Sequence, residues 1–340
     1  MSIPTILVTG ANGEIGRGLI TYLTDHSEVR IVALDLHALD ESIRPRVYRS
    51  ATGDILDTAF LESLSAAYDI DTIYHLAALL STKSERVPTL GHRVNVDGTV
   101  NVLEMAIAQS RLQGRNIKFL YPSSIAVYGL PSLDAKRDAG KVKEDSWLTP
   151  TTMYGINKLY CEQLGRYYSS FYRQLDVQTV QGGIDFRGLR FPGLISAVTT
   201  PTGGTSDFAP EILHSAARRE PYACFVRADA RIPFMAMPDG VKALLLLESA
   251  PKEKLTRQVY NVGAFNPSAG EVHGIVRKAF PAADVTFVPD TKRQGIIDSW
   301  PADVDDSAAR DDWGWFPAFG LERAFQEYLI PGVARRYKIV

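Results

Sequence analysis

The chain has 340 residues, more than twice the ~150 of a usual single domain, so we expect one large domain or two coupled ones. Hydrophobic residues make up 45% and charged residues 22%, which excludes a disordered or low-complexity protein. The 37 Lys and Arg residues nearly balance the 39 Asp and Glu residues, giving a net charge of -2. No overall field therefore attracts a nucleic acid or a membrane, and we expect a small-molecule partner.

Cysteine use and hydropathy predict a cytoplasmic protein. The two cysteines, Cys161 and Cys224, are too few for a disulfide framework or a cysteine zinc site. The longest apolar run, residues 241–247, includes Lys242 and is far shorter than the ~20 residues that span a membrane. The first residues lack the basic start of a signal peptide, so we expect neither membrane insertion nor secretion.

The first half of the chain alternates short apolar runs with helical patterns, which predicts a parallel sheet covered by helices on both faces. Leu19 and Leu23 mark one amphipathic helix, and Val96, Val100 and Ile107 mark another. We predict a Rossmann-type, doubly wound α/β fold. Its strands are predicted at residues 5–9, 30–34, 47–49, 72–76 and 117–121.

Gly10, Gly13 and Gly16 follow the first predicted strand and open the first predicted helix. Glycines at this spacing tighten the turn, admit a pyrophosphate close to the backbone and let the helix pack on its strand. The phosphate then lies at the positive end of the helix. A plain strand-to-helix turn is the alternative, but the context favours a dinucleotide site.

Asp35 ends the second apolar run, 25 residues after Gly10. A carboxylate at that point accepts hydrogen bonds from the adenosine ribose hydroxyls and repels a 2′-phosphate. No arginine follows directly to bind such a phosphate. The sequence therefore favours NAD over NADP, the alternative being an aspartate that only caps the strand end.

Tyr154 and Lys158 lie four residues apart in a predicted helix, and therefore on one face of it. A nearby ammonium favours the phenolate, so we expect Lys158 to lower the pKa of Tyr154 and make it a usable base. Ser123 and Ser124 lie at the end of the strand predicted at residues 117–121, the edge where open α/β sheets bind ligands. A hydroxyl there can hold a carbonyl or alkoxide oxygen. A surface Tyr–Lys pair and a strand cap are the alternatives.

These motifs occur in order over the first 190 residues, together with Gly53-Asp54-Ile55, His75-Leu76-Ala77-Ala78 and Asn95. They resemble the extended short-chain dehydrogenase/reductase family, whose best known members are sugar-nucleotide epimerases and dehydratases. The resemblance implies a bound NAD and a catalytic set of Ser124, Tyr154 and Lys158. The cofactor contacts that it implies come from Gly10, Asn12, Gly13, Glu14, Ile15, Gly16, Asp35, Asp54, Ile55, Leu76, Ala77, Ala78, Asn95, Ser123, Tyr154, Lys158 and Pro192.

The second half of the chain resembles one particular branch of this family. Residues 79–81, 190–196, 203–208, 231–239, 298–301 and 305–310 are similar to the epimerase-like branch of the L-threonine 3-dehydrogenases. That branch implies a homodimer and substrate contacts from Ser81, Ser124, Tyr154, Thr205 and Trp300. Ser206 and Phe208 replace a Thr and a Tyr usual in the branch, and residues 178–183 form an apparent insertion.

Prolines become frequent after residue 190, which predicts long loops and short helices there. We predict an NAD-binding Rossmann domain over residues 1–190, to which the chain returns around residues 232–263. Residues 191–231 and 264–340 are predicted to form a smaller substrate-binding lobe. The mixed charges of residues 136–143 predict a solvated loop.

The remaining candidates are weaker. The six histidines are scattered, so we expect no metal site, and His75 is expected to be a packed structural residue. Arg231 is either a diphosphate ligand, as in a sugar-nucleotide enzyme, or one half of an ion pair that fixes its loop. The four aromatic residues between 167 and 172 have helical spacing and are expected in a core or a dimer interface.

The resemblance implies oxidation of L-threonine to 2-amino-3-ketobutyrate. Tyr154 takes the hydroxyl proton, Ser124 orients the oxygen, and carbon 3 gives a hydride to NAD. Three alternatives stay open: a sugar-nucleotide epimerase or dehydratase with tightly held NAD, a dehydrogenase of another small hydroxy acid or amino alcohol, and a nonenzymatic NAD sensor. The sensor is disfavoured because both Tyr154 and Lys158 are present.

Overall fold

The computed structural model describes residues 3–176, 182–201 and 203–339. Its strands are β1 (Thr5–Thr9), β2 (Arg30–Asp35), β3 (Arg49–Thr52), β4 (Thr72–His75), β5 (Ile117–Ser124), β6 (Lys141–Val142), β7 (Ile184–Phe191), β8 (Gly193–Ile195), β9 (Tyr222–Cys224), β10 (Phe234–Ala236), β11 (Val259–Asn261), β12 (Val285–Phe287) and β13 (Asp303–Val304). Its helices are α1 (Glu14–His26), α2 (Thr58–Ala67), α3 (Ser81–Arg86), α4 (Pro88–His92), α5 (Gly98–Gln113), α6 (Leu133–Ala139), α7 (Met153–Ser170), α8 (Phe208–Arg218), α9 (Met237–Ser249), α10 (Ala269–Ala279), α11 (Thr291–Ser299), α12 (Ser307–Trp313), α13 (Leu321–Arg323) and α14 (Ile330–Arg336).

Within the described residues, a seven-stranded parallel sheet runs in the order β11, β7, β5, β4, β1, β2, β3. The chain starts at β1, moves outward to β3, and then crosses to β4 on the other side of β1. Sheets of this kind bind ligands where the strand order reverses, beyond the carboxyl ends of the strands. The predicted Rossmann-type, doubly wound α/β fold is confirmed, and its reversal lies between β1 and β4.

Both faces of the sheet are covered by helices because its strands are apolar on both sides. In β1, Ile6 and Val8 pack into a core with α1 and α9, whereas Leu7 packs into a second core with α2, α5 and α7. The side chains alternate because successive residues of a strand point to opposite faces. The two layers fix where each strand ends, and so where the loops that follow can meet.

Two strands differ from their predicted bounds. The third was predicted at residues 47–49 and lies at Arg49–Thr52, where it pairs with β2. The fifth continues to Ser124, past the predicted end at residue 121, because β7 pairs with it along its whole length. Ser123 and Ser124 are therefore held in a central strand by a long-range partner, rather than in a loop.

The chain after β7 forms two two-stranded parallel pairs in the described structure, β8 with β10 and β9 with β12, and its strand β13 pairs with the earlier β6. Residues from these strands and from α8, α10 and α14 share a third core. Between them, α9 packs against α1, and β11 pairs with β7 at the edge of the main sheet. The division into a cofactor domain and a substrate-binding lobe stays a prediction. None of the described helices is long and apolar enough to cross a membrane.

The solvated loop predicted at residues 136–143 is wrong for Lys136. The segment lies in α6 and β6, and buried Lys136 donates from Nζ to the carbonyl of Ile297 at 2.8 Å. Burial lowers the pKa of Lys136 to about 8. The ammonium still fits there because it lies at the C-terminal end of α11, where unpaired helix carbonyls favour a cation. The apparent insertion at residues 178–183 falls largely outside the described residues, since residues 177–181 are not among them.

Candidate active site

The glycine-rich turn between β1 and α1 has the geometry of a phosphate cradle. Gly10 has a φ of +68°, and a Cβ on it would lie 2.6 Å from the backbone nitrogen of Ala77. A Cβ on Gly16 would lie 2.6 Å from the carbonyl oxygen of Ala11. Helix α1 then begins at Glu14, and the Gly13 position before it supplies no side-chain cap. The first N–H groups of α1 therefore face an open concavity, which fits the pyrophosphate of a dinucleotide.

Asp35 stands at the end of β2 beside that turn. Its Oδ2 accepts a hydrogen bond from the Asn12 nitrogen at 2.9 Å, and its Oδ1 accepts one from the His37 nitrogen at 3.1 Å. The Asn12 side chain in turn accepts from the Asp40 nitrogen at 2.9 Å. The carboxylate is thereby fixed at the cleft wall, where it fits the ribose of an adenosine.

His75 is a structural residue, in line with its prediction. It is buried, and its pKa is lowered to about 3 by burial and by the charge of Lys158. Its Nδ1 lies 2.8 Å from Thr9 Oγ1, and its Nε2 lies 3.0 Å from Thr99 Oγ1, which donates to the Asn95 carbonyl. This neutral chain of hydrogen bonds joins β1, β4 and α5, and so holds the crossing that follows β4.

One cavity of about 770 Å³, termed the cleft, lies beyond the carboxyl ends of β1, β4 and β5. It brings together most of the predicted site residues. Those that line it are Gly10, Asn12, Gly13, Glu14, Ile15, Gly16, Asp35, Leu76, Ala77, Ala78, Ser81, Ser123, Ser124, Tyr154, Lys158, Pro192 and Trp300. The cleft therefore joins the phosphate cradle to the predicted catalytic set.

Four predicted residues are not part of the cleft lining. Asp54 accepts a hydrogen bond from the Leu56 nitrogen at 3.0 Å, and buried Ile55 packs where a Cβ on Gly98 would lie. Asn95 is buried and holds both the nitrogen and the carbonyl of Leu79, at 2.7 Å and 3.0 Å. Asn95 thus orders the loop before α3. Thr205, the fourth, lies behind Ser81.

Ser124, Tyr154 and Lys158 converge although β5 and α7 are distant in sequence. Ser124 ends β5 and hydrogen-bonds the Tyr154 phenol. Lys158 is buried one turn after Tyr154; its Nζ donates to the Pro122 carbonyl at 2.5 Å and lies 5.5 Å from the centre of the Tyr154 ring. The Tyr154 phenol is therefore hydrogen-bonded to Ser124, and the Lys158 ammonium lies near its ring.

The expected lowering of the Tyr154 pKa is wrong for the protein alone. Desolvation by burial raises the pKa of Tyr154 to about 12, and the hydrogen bond with Ser124 only partly offsets this. Burial also lowers the pKa of Lys158 to about 8. The Lys158 ammonium donates to the Pro122 carbonyl. Burial removes water from both Tyr154 and Lys158, and this disfavours the charged form of each side chain. The spacing in the sequence predicted that Tyr154 and Lys158 lie together, but it could not predict that both side chains are buried away from water.

The end of the cleft beyond Tyr154 carries small polar groups. Ser81 accepts from Thr205 Oγ1 at 3.1 Å, and Thr82 Oγ1 donates to the Gly203 carbonyl at 2.7 Å, so the start of α3 is tied to the loop before α8. Trp300 also lines the cleft; its indole N–H is buried and has no hydrogen-bond partner among the described residues.

Several lining residues were missed from the sequence, among them Arg17, Phe191, Val198, Thr199, Asp207 and Arg336. Thr199 donates to the Glu14 carboxylate, whose pKa is raised by burial. Arg336 at the end of α14 donates to the Val198 carbonyl at 2.7 Å. These contacts draw the loop after β8 over the cradle. Arg336 has no neighbouring motif, so only the packing of α14 reveals it.

Arg231 does not line the cleft. It pairs with Glu271 at 2.9 Å and donates to the carbonyl of Asn266. Glu271 also closes a capping box with Ser268 at the start of α10. Of the two interpretations of Arg231, the loop-fixing ion pair therefore matches its contacts. Among residues 3–176, 182–201 and 203–339, no group of three or more His, Cys, Asp or Glu side chains could hold a metal.

Comparisons with known proteins agree on a family. Residues 6–263 match the model of the NAD dependent epimerase/dehydratase family. The mitochondrial L-threonine 3-dehydrogenase of Bos taurus is 34% identical over 327 residues, which cover 93% of this chain and 79% of that protein.

Two solved structures share the whole architecture. The L-threonine dehydrogenase of Clostridium difficile is 31% identical, with a TM-score of 0.86 and 99% of each chain covered. A monomeric L-threonine 3-dehydrogenase from a metagenome database is 36% identical, with a TM-score of 0.83, and covers 98% of this chain and 99% of its own. The chain therefore belongs to the NAD-dependent epimerase/dehydratase family of extended short-chain dehydrogenases/reductases, and its relatives indicate an NAD-dependent oxidoreductase.

Proposed function

We propose that the protein oxidises the secondary alcohol of L-threonine to 2-amino-3-ketobutyrate, with NAD as the cofactor. The observation that carries the proposal is the convergence of Ser124, Tyr154 and Lys158 in a cleft that also contains the phosphate cradle. The names of the relatives support the choice of L-threonine as substrate. When bound, NAD would supply the hydride acceptor for carbon 3, its nicotinamide ring being positively charged before the transfer and neutral after it.

Tyr154 takes the proton of the substrate hydroxyl. Ser124 donates to the same substrate oxygen and steadies its developing charge. Lys158 keeps a positive charge one helical turn away, which favours the phenolate, and it also donates to the cofactor ribose. Oxidation therefore requires a deprotonated Tyr154 and a protonated Lys158. Before ligands bind, the pKa of Tyr154 is about 12 and that of Lys158 is about 8. Bound ligands must therefore lower the pKa of Tyr154 and raise that of Lys158.

The polar end of the cleft fits a small zwitterion. Ser81 and Trp300 are hydrogen-bond donors suited to a carboxylate, and the Asp207 carboxylate adds negative charge on the side that an ammonium would occupy. Thr205 holds Ser81 from behind and acts on the substrate through that contact. A sugar nucleotide would need cations for its diphosphate, and the engagement of Arg231 by Glu271 disfavours that alternative.

The direct test of the substrate is reduction of NAD in the presence of L-threonine, followed by NADH absorbance. Sustained turnover, with 2-amino-3-ketobutyrate identified by mass spectrometry, is expected. A thermal-shift screen with UDP and dTDP runs in parallel. Turnover of another small alcohol but not of L-threonine, or stabilisation by a nucleoside diphosphate, would replace this proposal by one of the alternatives.

We expect Asp35 to decide the choice between NAD and NADP. Asp35→Asn keeps the side-chain shape but removes its charge, so NAD affinity falls about tenfold, since a hydrogen bond to a charged group contributes ~1.5–3 kcal/mol. Affinity for NADP falls less or rises, because repulsion of the 2′-phosphate is lost. Fluorescence titration with NADH and NADPH measures both dissociation constants.

Asp57→Asn is the matched control for that substitution. Asp57 is an exposed aspartate that accepts the Phe60 nitrogen at the start of α2 and is not part of the cleft lining. Its replacement is expected to leave both affinities unchanged. An unchanged ratio of the two affinities in Asp35→Asn would show that Asp35 serves only the two backbone nitrogens that it binds.

We also propose a homodimer that packs through α7. The inner face of this helix carries Tyr154 and Lys158, while Ile156, Tyr160 and Tyr167 are 48%, 51% and 41% exposed on its outer face. Exposed apolar side chains at helical spacing are typical of an interface. One solved relative is named as monomeric, so the oligomeric state is a direct test of this proposal.

A charge in the middle of that stripe should separate the subunits. Tyr160→Glu is expected to yield a monomer in size-exclusion chromatography with light scattering, because it places a carboxylate in an apolar contact. Val288→Glu adds the same charge at another exposed apolar position and should leave the dimer intact. A monomeric wild-type protein would overturn the dimer proposal at once.

The cytoplasm remains our proposed location. Cys161 and Cys224 are both free and buried, which fits a reducing compartment. The bovine relative is named as mitochondrial. Fractionation of cells that produce the protein, with an antibody to it, tests the location directly.

A further inference from the structure

A buried ion pair lies beside the proposed catalytic set. Glu162 follows Lys158 by one turn of α7, and Arg190 lies in β7; their side chains are only 2% and 4% exposed. Arg190 donates to both carboxylate oxygens of Glu162, at 2.9 Å and 2.6 Å. Ser123 donates to the same carboxylate from the end of β5. Glu162 therefore joins the helix of Lys158 to the strand that ends in Ser124.

The pair is anchored on its other side as well. Arg190 Nη1 donates to the Tyr128 hydroxyl at 2.9 Å and to the Glu144 carbonyl at 2.6 Å, and Tyr128 donates to Asn261 at 2.7 Å. The network thus reaches β11 at the sheet edge. A buried pair of this kind adds little net stability over apolar side chains of the same size. What it holds in place therefore matters more than its own energy.

Among the described residues, Glu162 is the carboxylate whose charge acts on Lys158, which it follows by one turn of α7. From β4, His75 is neutral, because its pKa is about 3. From β5, the Tyr121 ring lies 4.6 Å from Lys158 Nζ, and burial raises the pKa of its phenol. On α7 itself, burial raises the pKa of the Cys161 thiol, so it too is neutral near pH 7.

The other charged groups packed on α7 are occupied elsewhere. Glu85 of α3 accepts from the Met153 nitrogen, and Glu104 of α5 accepts from the Tyr168 hydroxyl, each at another turn of the helix. Burial lowers the pKa of Lys158, whereas a negative charge on Cys161 or on Glu162 would raise it. With the thiol neutral, Glu162 supplies the opposing charge.

We propose that Glu162 is a positioning residue of this site: its carboxylate keeps Lys158 protonated and fixes the strand end that carries Ser124, while Arg190 locks the carboxylate. The inference deepens the proposed function and rests on the role given there to Lys158. It assigns a task to a carboxylate that contacts neither substrate nor cofactor in the proposed reaction.

The test compares two buried ion pairs whose arginines both lie in β7. Glu162→Gln removes the carboxylate of one, and Asp185→Asn removes that of the other, in which Arg187 Nη2 lies 2.7 Å from Asp185. The second pair binds carbonyls at the end of α9, including Leu247 at 2.6 Å, and is not part of the cleft lining. Both variants leave a buried arginine uncompensated, so both should lose thermal stability.

The readout is the affinity for NADH against pH, from neutral to alkaline, by fluorescence. Affinity should decline above the pKa of Lys158, because an anionic ligand favours the protonated form. In Glu162→Gln the decline should begin about one pH unit or more lower, since an opposite charge at close range is lost. Asp185→Asn should decline where the wild type does. The alkaline limb of kcat should follow the same order.

The proposal is overturned if NADH affinity declines at the same pH in the wild type and in Glu162→Gln. It is also overturned if Glu162→Gln and Asp185→Asn shift that pH by the same amount. If Glu162→Gln does not fold, the double variant Glu162→Gln with Arg190→Met removes both buried charges. It should still shift downward, but by less, because the loss of the Arg190 cation offsets part of the loss of the carboxylate. NADH binding needs no alcohol, so a protein that fails to oxidise L-threonine can still confirm or refute the role of Glu162.

Discussion

Tyr154→Phe is expected to reduce kcat by about 10²–10⁴-fold, the usual contribution of a positioned acid or base. The substitution removes one oxygen and keeps the ring that lies 5.5 Å from Lys158 Nζ. Ser124 loses its hydrogen-bond partner, but the phosphate cradle and Asp35 are untouched. NADH affinity should therefore stay within a few-fold of the wild type while turnover falls.

Steady-state kinetics with L-threonine and fluorescence titration with NADH separate these effects. Tyr160→Phe is the control, because it removes a phenolic oxygen from the outer face of the same helix. It should leave kcat unchanged. A Tyr154→Phe enzyme that keeps most of its activity would remove Tyr154 from the role of base, and Ser124 would become the first residue to examine.

Gly155→Ala is expected to lower both stability and kcat, although the side chain that it adds is one methyl group. A Cβ on Gly155 would lie 2.0 Å from the Ala126 carbonyl oxygen and 2.9 Å from Pro150 Cβ. Helix α7 must move away from the turn after β5, and Tyr154 moves with it. A displacement of ~1 Å at a reacting group can cost about 10²-fold in rate.

Gly274→Ala gives the opposite result in the same type of element. Gly274 lies in α10, and a Cβ on it would meet nothing within 4 Å in the described parts of the chain. Alanine there should stabilise the protein by ~0.5–1 kcal/mol, because glycine loses more backbone freedom on folding. Thermal unfolding and kcat of both variants decide the matter. If both substitutions change the stability equally, helix α7 accommodates the added methyl group and the prediction is wrong.

The sequence could predict those parts of the site that depend on the spacing of residues close together in the chain. Three glycines fix a turn, and the spacing of four positions from Tyr154 to Lys158 fixes a common helix face, so both motifs lie in the cleft as predicted. Ser124 could be placed because strand ends of a parallel sheet share one edge.

The parts that could not be predicted depend on distant packing. Arg336 reaches the cleft only because α14 packs near the loop after β8, and no pattern around residue 336 indicates it. Desolvation set the pKa of Tyr154, and spacing carries no measure of burial. Asp54 and Asn95 were assigned by resemblance alone; here each binds backbone groups of its own loop or of a neighbouring one.

The order of the strands also governs how the chain can reach its native state. The inner strand β5 stays an open edge until β7 has been synthesised, and β7 stays open until β11 follows at residues 259–261. Pairing between distant parallel strands is slow, and an open apolar edge invites other chains to add to it. We therefore expect the yield of folded protein to depend on growth temperature and on chaperones that cover this edge during synthesis.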